Sequence, residues 1–425
     1  MNWNDFVRKG KRWAYVRLYQ SHAVVRSHRR YVQRVQERGK TRVVILAMSV
    51  PMWKYQHLYE ILAADERFDV NIVISPTIAY EEEQRQQDVR ALRAYFEKRN
   101  TPYIDFDIEN GSAPFDIKTQ LDPDIIFYPQ PYEHLLVPEH DCLAFYDRLV
   151  CYYPYAFMSG EDKLTYNFHF HNLAWRLYYT NEEIRQVAQR LMRNGAVNVR
   201  VVGYPNADDY ARAHFEDVWK PMADGRPRKR IIWAPHFSIW NEFGRIARSN
   251  FIWMAHFMLD LAQRYKEHIQ IAFKPHPRLL TELYRHSEWG RERTDAYYKM
   301  WSEMDNTQLE TGEFIDLFMT SDALIHDCAS FVVEYNYTHR PVLFMSRELD
   351  VLLRGETEFS QKAFRVLYHG KDEREVLDFV DNVVLGGEDF MLPQREAFYN
   401  QNLNPPHGTT VAQNTLNDLV KSLGL

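Results

Sequence analysis

Cysteine is scarce. Cys142, Cys151 and Cys328 are the three in 425 positions, and no two are spaced as C-x-x-C. That excludes a disulfide framework or a zinc knuckle and points to a reducing compartment. Long apolar runs are missing as well. No stretch approaches the ~18 residues of a spanning helix, and the start has no signal-peptide pattern. The expected location is the cytoplasm. A positive surplus is absent, since the net charge is −6, so nucleic acid is not expected as a partner. The chain also lacks G-x-x-x-x-G-K-[ST], a G-x-G-x-x-G after its first strand, and G-x-S-x-G. P-loop kinases, dinucleotide oxidoreductases and α/β-hydrolases are thereby disfavoured. "DPD" at 122–124 precedes a strand and reads as a turn, not as a metal-binding Asp-x-Asp. No metal or cofactor is expected.

Aromatic residues are plentiful, with 27 Tyr, 25 Phe and 10 Trp. They suit a large core and a cleft that stacks rings. At roughly 100–200 residues per domain, the length suggests two domains. Residues 1–40 stand apart, with eleven Lys/Arg against two Asp/Glu, interleaved with Trp3, Phe6, Trp13, Val16 and Tyr19. They read as a basic helix that either lies on an anionic membrane surface or packs on the main body.

Apolar runs of strand length then alternate with amphipathic segments. "RVVILAMSV" (42–50), "FDVNIVISP" (68–76), "DPDIIFYPQP" (122–131), "RLVCYYPY", "WRLYYTN" and "NVRVVGYP" (198–205) predict one set of strands. After a basic linker, "PMADGRPRKR" (221–230), the pattern restarts with "IIWAPHF", "IQIAFKPHP", "ALIHD" and "PVLFM". Continuous apolar strands joined by helices indicate doubly wound α/β domains. Two Rossmann-like halves suggest a cleft between them. The expected parts are the basic helix (1–40), an N-terminal Rossmann-like domain (41–205) and a second such domain (206–425).

Ligands of such sheets bind beyond the carboxyl ends of the strands. "FKPHPR" (273–278) places Lys274, His276 and Arg278 at one such end, where positive donors suit phosphate. His236 and Asp327 sit at two others. In "HDCASFVVEY" a helix is predicted to begin near Ser330, offering free amides to an anion, with Glu334 one turn on. An ordinary N-cap explains the same residues. "NFHFHN" puts His169 and His171 on one face if it is a strand.

These segments together resemble the CDP-glycerol glycerophosphotransferases, the teichoic-acid primases and polymerases. "FKPHP" followed by "SDALIHDCASFVVEYNYTHRPVLF" resembles the donor half of that family. "VVGYPNADD" (201–209), "IIWAPHF" and "PPHGTTVAQNTLNDLV" (405–420) resemble further segments in the same order. The resemblance implies a GT-B fold, two Rossmann-like domains facing a cleft. It implies His276 on the donor's phosphates and Ser330 with its neighbouring backbone on the pyrophosphate. Glu334 would bind the ribose, and Thr409 and Thr410 would bind phosphate. The family's Trp-His-Gly segment, which supplies a general base, corresponds to "LVCYYPYAF" (149–157) with no histidine. His169, His171 and His236 are therefore the candidate replacements, imidazole being suited to proton transfer near neutral pH.

The implied activity is transfer of phosphoglycerol from CDP-glycerol to a lipid-linked or polysaccharide acceptor, at the cytoplasmic face of the plasma membrane, with CMP leaving. Two rivals stand beside it: glycosyl transfer from a nucleotide sugar on the same fold, and a non-catalytic scaffold of a polysaccharide assembly complex.

Overall fold

In a computed structural model of the protein, the described residues are 24–105, 115–158, 160, 163–240, 248–328 and 331–425. The chain forms two compact units, Met1–Asp209 with Asn404–Leu425, and Tyr210–Leu403.

The first unit is built on a six-stranded parallel sheet. Its strands are β1 (Thr41–Ala47), β2 (Phe68–Ile74), β3 (Ile125–Tyr128), β4 (Leu149–Tyr152), β5 (Arg176–Tyr179) and β6 (Val199–Val201). They lie in the order β2-β1-β3-β4-β5-β6. The second unit repeats the plan with β7 (Lys229–Ala234), β8 (Ile269–Phe273), β9 (Thr307–Leu309), β10 (Ala323–His326), β11 (Val342–Met345) and β12 (Tyr368–Gly370). Their order is β12-β11-β10-β7-β8-β9. The central strands are buried along most of their length, as sheets covered on both faces require. In the second sheet the winding reverses between β7 and β10, a topological switch point at which open α/β sheets hold their ligands.

Of the expected basic N-terminal helix, residues 1–23 lie outside the described residues. Val24–Arg38 is helical, with Val24, Ser27, Tyr31 and Val35 turned inward. Its arginines serve the "DPD" turn. Arg38 reaches Asp124 at 3.1 Å and Asp122 at 3.0 Å, and Arg34 pairs with Asp122. Asp124 also accepts from the Arg42 amide at 3.0 Å. The turn is thus an ionic anchor that fixes the helix against the start of β1.

The C-terminal helix Val411–Leu423, expected with the donor half, packs in the first unit. Val411, Ala412, Leu416, Leu419 and Leu423 are buried. Asp418 pairs with Arg176 at 3.2 Å, and Gln36 donates to the Leu423 carbonyl at 2.8 Å. Burial of that apolar face, together with these polar ties, decides its placement.

A second difference concerns "NFHFHN". His169–Leu173 is a short helix, not a strand. Local hydrogen bonds overrule the alternation. The Phe168 amide donates to His171 Nδ1 at 3.2 Å, and Asn172 donates back to the Phe168 carbonyl at 2.9 Å. His169 and His171 therefore do not share a face.

Candidate functional site

Beside the second sheet's switch point, the exits of β7, β8 and β10 carry a polar arrangement. β7 exits at Pro235-His236 and β8 at Lys274-Pro275-His276. The His276 amide donates to the Pro235 carbonyl at 3.0 Å, so the pairing of the two strands continues into their exits. This sets the imidazoles of His236 and His276 side by side, ring centroids 5.3 Å apart. Phe237 packs on His276 at 4.6 Å, and the Arg278 guanidinium stacks on the other ring contact of Phe237, 4.0 Å from its centroid. The Arg278 side chain is 61% exposed, and Nη2 is shared with Glu282 Oε1 at 3.3 Å.

Both imidazoles are held in one tautomer. His276 Nδ1 accepts from the Arg278 amide at 3.1 Å. His236 Nδ1 accepts from the Ser238 amide at 3.2 Å. The proton of each neutral ring then resides on Nε2, which is a donor. Burial pulls the His276 pKa down to about 4, helped by Arg278. Burial, with His276, Arg248 and Arg278 behind it, pulls His236 down to about 3. At neutral pH the pair therefore presents N–H donors beside the permanent charge of Arg278, a constellation suited to phosphate oxygens.

Asp327, at the end of β10, fixes this edge. Its carboxylate, 2% exposed, accepts from the His236 amide at 2.6 Å and the Asn250 amide at 2.5 Å. Asn250 Nδ2 also donates to it at 3.3 Å and to the Met345 carbonyl at 2.9 Å. One carboxylate and one amide thus tie the exits of β7, β10 and β11 to the start of the helix Phe251–Arg264. Desolvation outweighs the three donors and raises the Asp327 pKa to about 6.

Other expected donor-side residues fall elsewhere. Lys274 is buried and donates through Nζ to the Gly312 carbonyl at 2.7 Å. Its burial lowers its pKa to about 8. It braces the loop after β9 and does not join the histidines. Ser330 lies outside the described residues, and Glu334, in the short helix Phe331–Glu334, is buried. His326 is in the core of β10.

Thr409 and Thr410 belong to the first unit. Thr410 caps its own helix, its hydroxyl accepting from the Gln413 amide at 3.1 Å. The amides of Val411 and Ala412 already donate to the Asp208 carboxylate, at 2.8 and 2.9 Å. That helix start is therefore filled by an anion of the chain itself.

The first unit has its own polar group at the exit of β3. His169 Nδ1 lies 2.5 Å from Glu133 Oε1, and the Tyr146 hydroxyl donates to the same oxygen at 2.9 Å. Glu133, His169, Tyr132 and Phe168 line a cavity of about 170 Å3. His171 is fully buried, and burial drives its pKa to about 3, so it cannot reach an acceptor. At the exit of β4, where the family resemblance places its histidine, Tyr153 is buried, its hydroxyl 2.5 Å from Thr415 Oγ1.

Sequence reasoning missed Glu133, Asn250 and Asp208. The signal for Asn250 was present, a Ser-Asn pair before the apolar run of Phe251–Arg264, as N-caps require. Nothing local marks Glu133 or Asp208, whose partners lie 36 and about 200 residues away.

Residues 159–356 match the family model described as CDP-Glycerol:Poly(glycerophosphate) glycerophosphotransferase. The matched stretch contains the whole edge from His236 to Asp327. No curated protein matches the chain. Among solved structures, the wall teichoic acid polymerase TagF soaked with CDPG is similar at TM-score 0.56 and 13% identity, over 100% of this chain and 98% of its own. A putative UDP-N-acetylglucosamine 2-epimerase from Listeria monocytogenes is similar at TM-score 0.59 and 14% identity, over 90% of this chain and 96% of its own. The S. aureus MnaA–UDP structure follows at 0.54 and 13%, over 91% and 97%. At such identities these neighbours define the fold, which is GT-B. Residues 159–356 are thus similar to the CDP-glycerol glycerophosphotransferase family, and the chain has the GT-B fold.

Proposed function

We propose that the protein transfers phosphoglycerol from CDP-glycerol to an acceptor hydroxyl in the synthesis of a cell-envelope polymer. The observation that carries this reading is the pair of neutral imidazoles, His236 and His276, beside Arg278 at the exits of β7 and β8, next to the switch point of the second sheet. Their Nε2–H groups and the guanidinium would hold the diphosphate and stabilise charge on its oxygens during transfer. The acceptor oxygen bonds to the β-phosphorus, the bond from that phosphorus to the bridging oxygen breaks, and CMP leaves with the electron pair. Donors that are fixed before the ligand arrives need no reorganisation in the transition state.

The acceptor's proton needs a base. His236, His276 and His171 are too weakly basic, with pKa values of about 3, 4 and 3. We assign the role to His169. Glu133 would hold its Nδ1–H and stabilise the imidazolium that forms, and Nε2 would take the proton once an acceptor opens the cavity beside this ring, whose side chain is 5% exposed. No metal is required by any of these steps.

A peripheral membrane contact fits the helix Val24–Arg38, whose solvent side carries Arg26, Arg29 and Arg30 beside the exposed Val25. Cations near an anionic leaflet contribute about 1 kcal/mol each. Among the described residues no helix is long and apolar enough to cross a membrane.

The test is 31P NMR of CDP-glycerol incubated with the protein and a glycerol-phosphate-primed acceptor. Growth of a CMP resonance together with a new phosphodiester resonance supports the reading. Release of a nucleoside diphosphate from a nucleotide sugar, with CDP-glycerol untouched, replaces it with glycosyl transfer.

A further inference from the structure

The basic linker 221–230 has no part in the donor edge, yet it lines a cavity of about 850 Å3 in the second unit. The cavity lies at the opposite edge of the sheet, where β7, β8, β10 and β11 begin. β7 separates it from His236 by six residues, roughly 20 Å of strand. Its walls carry Arg226, Arg228, Lys229, Arg230, Arg340 and His268.

Three of these cations are engaged. Arg228 forks onto Asp224 at 2.9 Å, Lys229 reaches Asp322 at 3.1 Å, and Arg230 reaches Asp217 at 2.8 Å. Glu267 adds one more carboxylate, 4.0 Å from Arg228. Arg226 and Arg340 have no carboxylate partner among the described residues. Arg340 is anchored through Nη1 to the Phe318 carbonyl at 2.9 Å, which fixes the guanidinium while Nε and Nη2 make no protein hydrogen bond among the described residues. A guanidinium held this way matches the paired oxygens of a phosphate.

The lining also excludes alternatives. None of its residues is Phe, Tyr or Trp, so a nucleobase would find no large aromatic ring to stack on. Its volume exceeds what a single phosphate fills and is of the size that holds an extended ligand. We propose that this edge binds a phosphodiester chain, a stretch of the polyanionic polymer away from its reacting end. The proposal rests on the transferase reading, which makes such a chain the product. Arg226 and Arg340 would make the direct contacts.

The experiment measures binding of a fluorescent synthetic glycerol-phosphate octamer to the full chain by anisotropy, with CMP release from CDP-glycerol assayed in parallel. Wild type should bind, and binding should weaken as salt rises. The double variant Arg226→Ala, Arg340→Gln should bind about tenfold more weakly, a loss of two charge-assisted contacts. Arg285→Ala, at an exposed site elsewhere in the unit, should match wild type. The double variant's thermal melt, expected to match wild type, shows whether a loss reflects the site or the fold. Single transfers to a one-unit acceptor should be unchanged in it.

Unaltered octamer affinity in a folded double variant overturns the proposal. So does displacement of the octamer by inorganic phosphate at equal phosphate concentration, which would mark a single-phosphate site. Absent octamer binding with CMP release intact removes this site alone. Octamer binding without CMP release keeps the site and removes the transferase reading.

Discussion

Asp327 is the group whose removal is most informative, because two opposing forces act on it. Three N–H donors favour its ionised form, and full burial opposes it. Burial dominates, raising the pKa from 3.8 to about 6. The folded state therefore prefers the protonated acid. The stabilisation that Asp327 gives is fully present below about pH 4 and is lost as pH rises through about 6. The gap between the two values corresponds to roughly 3 kcal/mol at neutral pH.

Asp327→Asn resembles the protonated acid in shape and cannot ionise. Its fixed cost, from turning an amide toward a backbone donor, is about 1–3 kcal/mol and does not depend on pH. The quantity to measure is the stability of wild type minus that of the variant, by urea unfolding followed through tryptophan fluorescence, to which buried Trp233 in the neighbouring strand contributes. The difference should fall by about 2–3 kcal/mol between pH 4 and pH 7. A difference that stays flat, or rises with pH, would show that the donors outweigh burial, and the reasoning about this edge would fail.

Further outcomes follow from the same geometry. His276→Ala should lower kcat/KM for CDP-glycerol at least tenfold, about 1.4 kcal/mol or more, and wild-type turnover would remove His276 from the mechanism. His169→Gln should lower kcat at least tenfold while leaving CDP-glycerol affinity within about twofold, and unchanged kcat would dismiss it as the base. Asp208→Ala strips the carboxylate from the start of the last helix and should cost about 1–2 kcal/mol in thermal unfolding. Gly203→Ala should cost more than about 1 kcal/mol, because φ is +108° and the new Cβ would stand 2.8 Å from Val411 Cγ2.

The sheets were legible because their strands are buried on both faces, so runs such as "RVVILAMSV" and "IQIAFK" needed no partner to be recognised. The exits followed from them, since a polar residue directly after a buried strand must emerge at the sheet's edge, as His236, His276 and Asp327 do. Less visible was anything decided by distant chain. Lys274 shares the β8 exit with His276 but turns to a carbonyl 38 residues on. The last helix carries an apolar face that either unit could have covered, and polar ties to distant residues such as Arg176, Gln36, Asp208 and Tyr178 hold it to the first. "NFHFHN" alternates like a strand, yet its histidine and asparagine side chains close a helical turn instead. Glu133 became a candidate only when folding brought His169 to it.

The central claim is that the edge holding His236 and His276 receives the diphosphate of CDP-glycerol. Isothermal titration of CDP-glycerol into the full chain, beside His276→Ala and the double variant His236→Ala, His276→Ala, tests it directly. Saturable binding in wild type, about tenfold weaker in the first variant and weaker again in the second, is the expected result. Equal affinity in all three proteins, each melting at the same temperature, would contradict it.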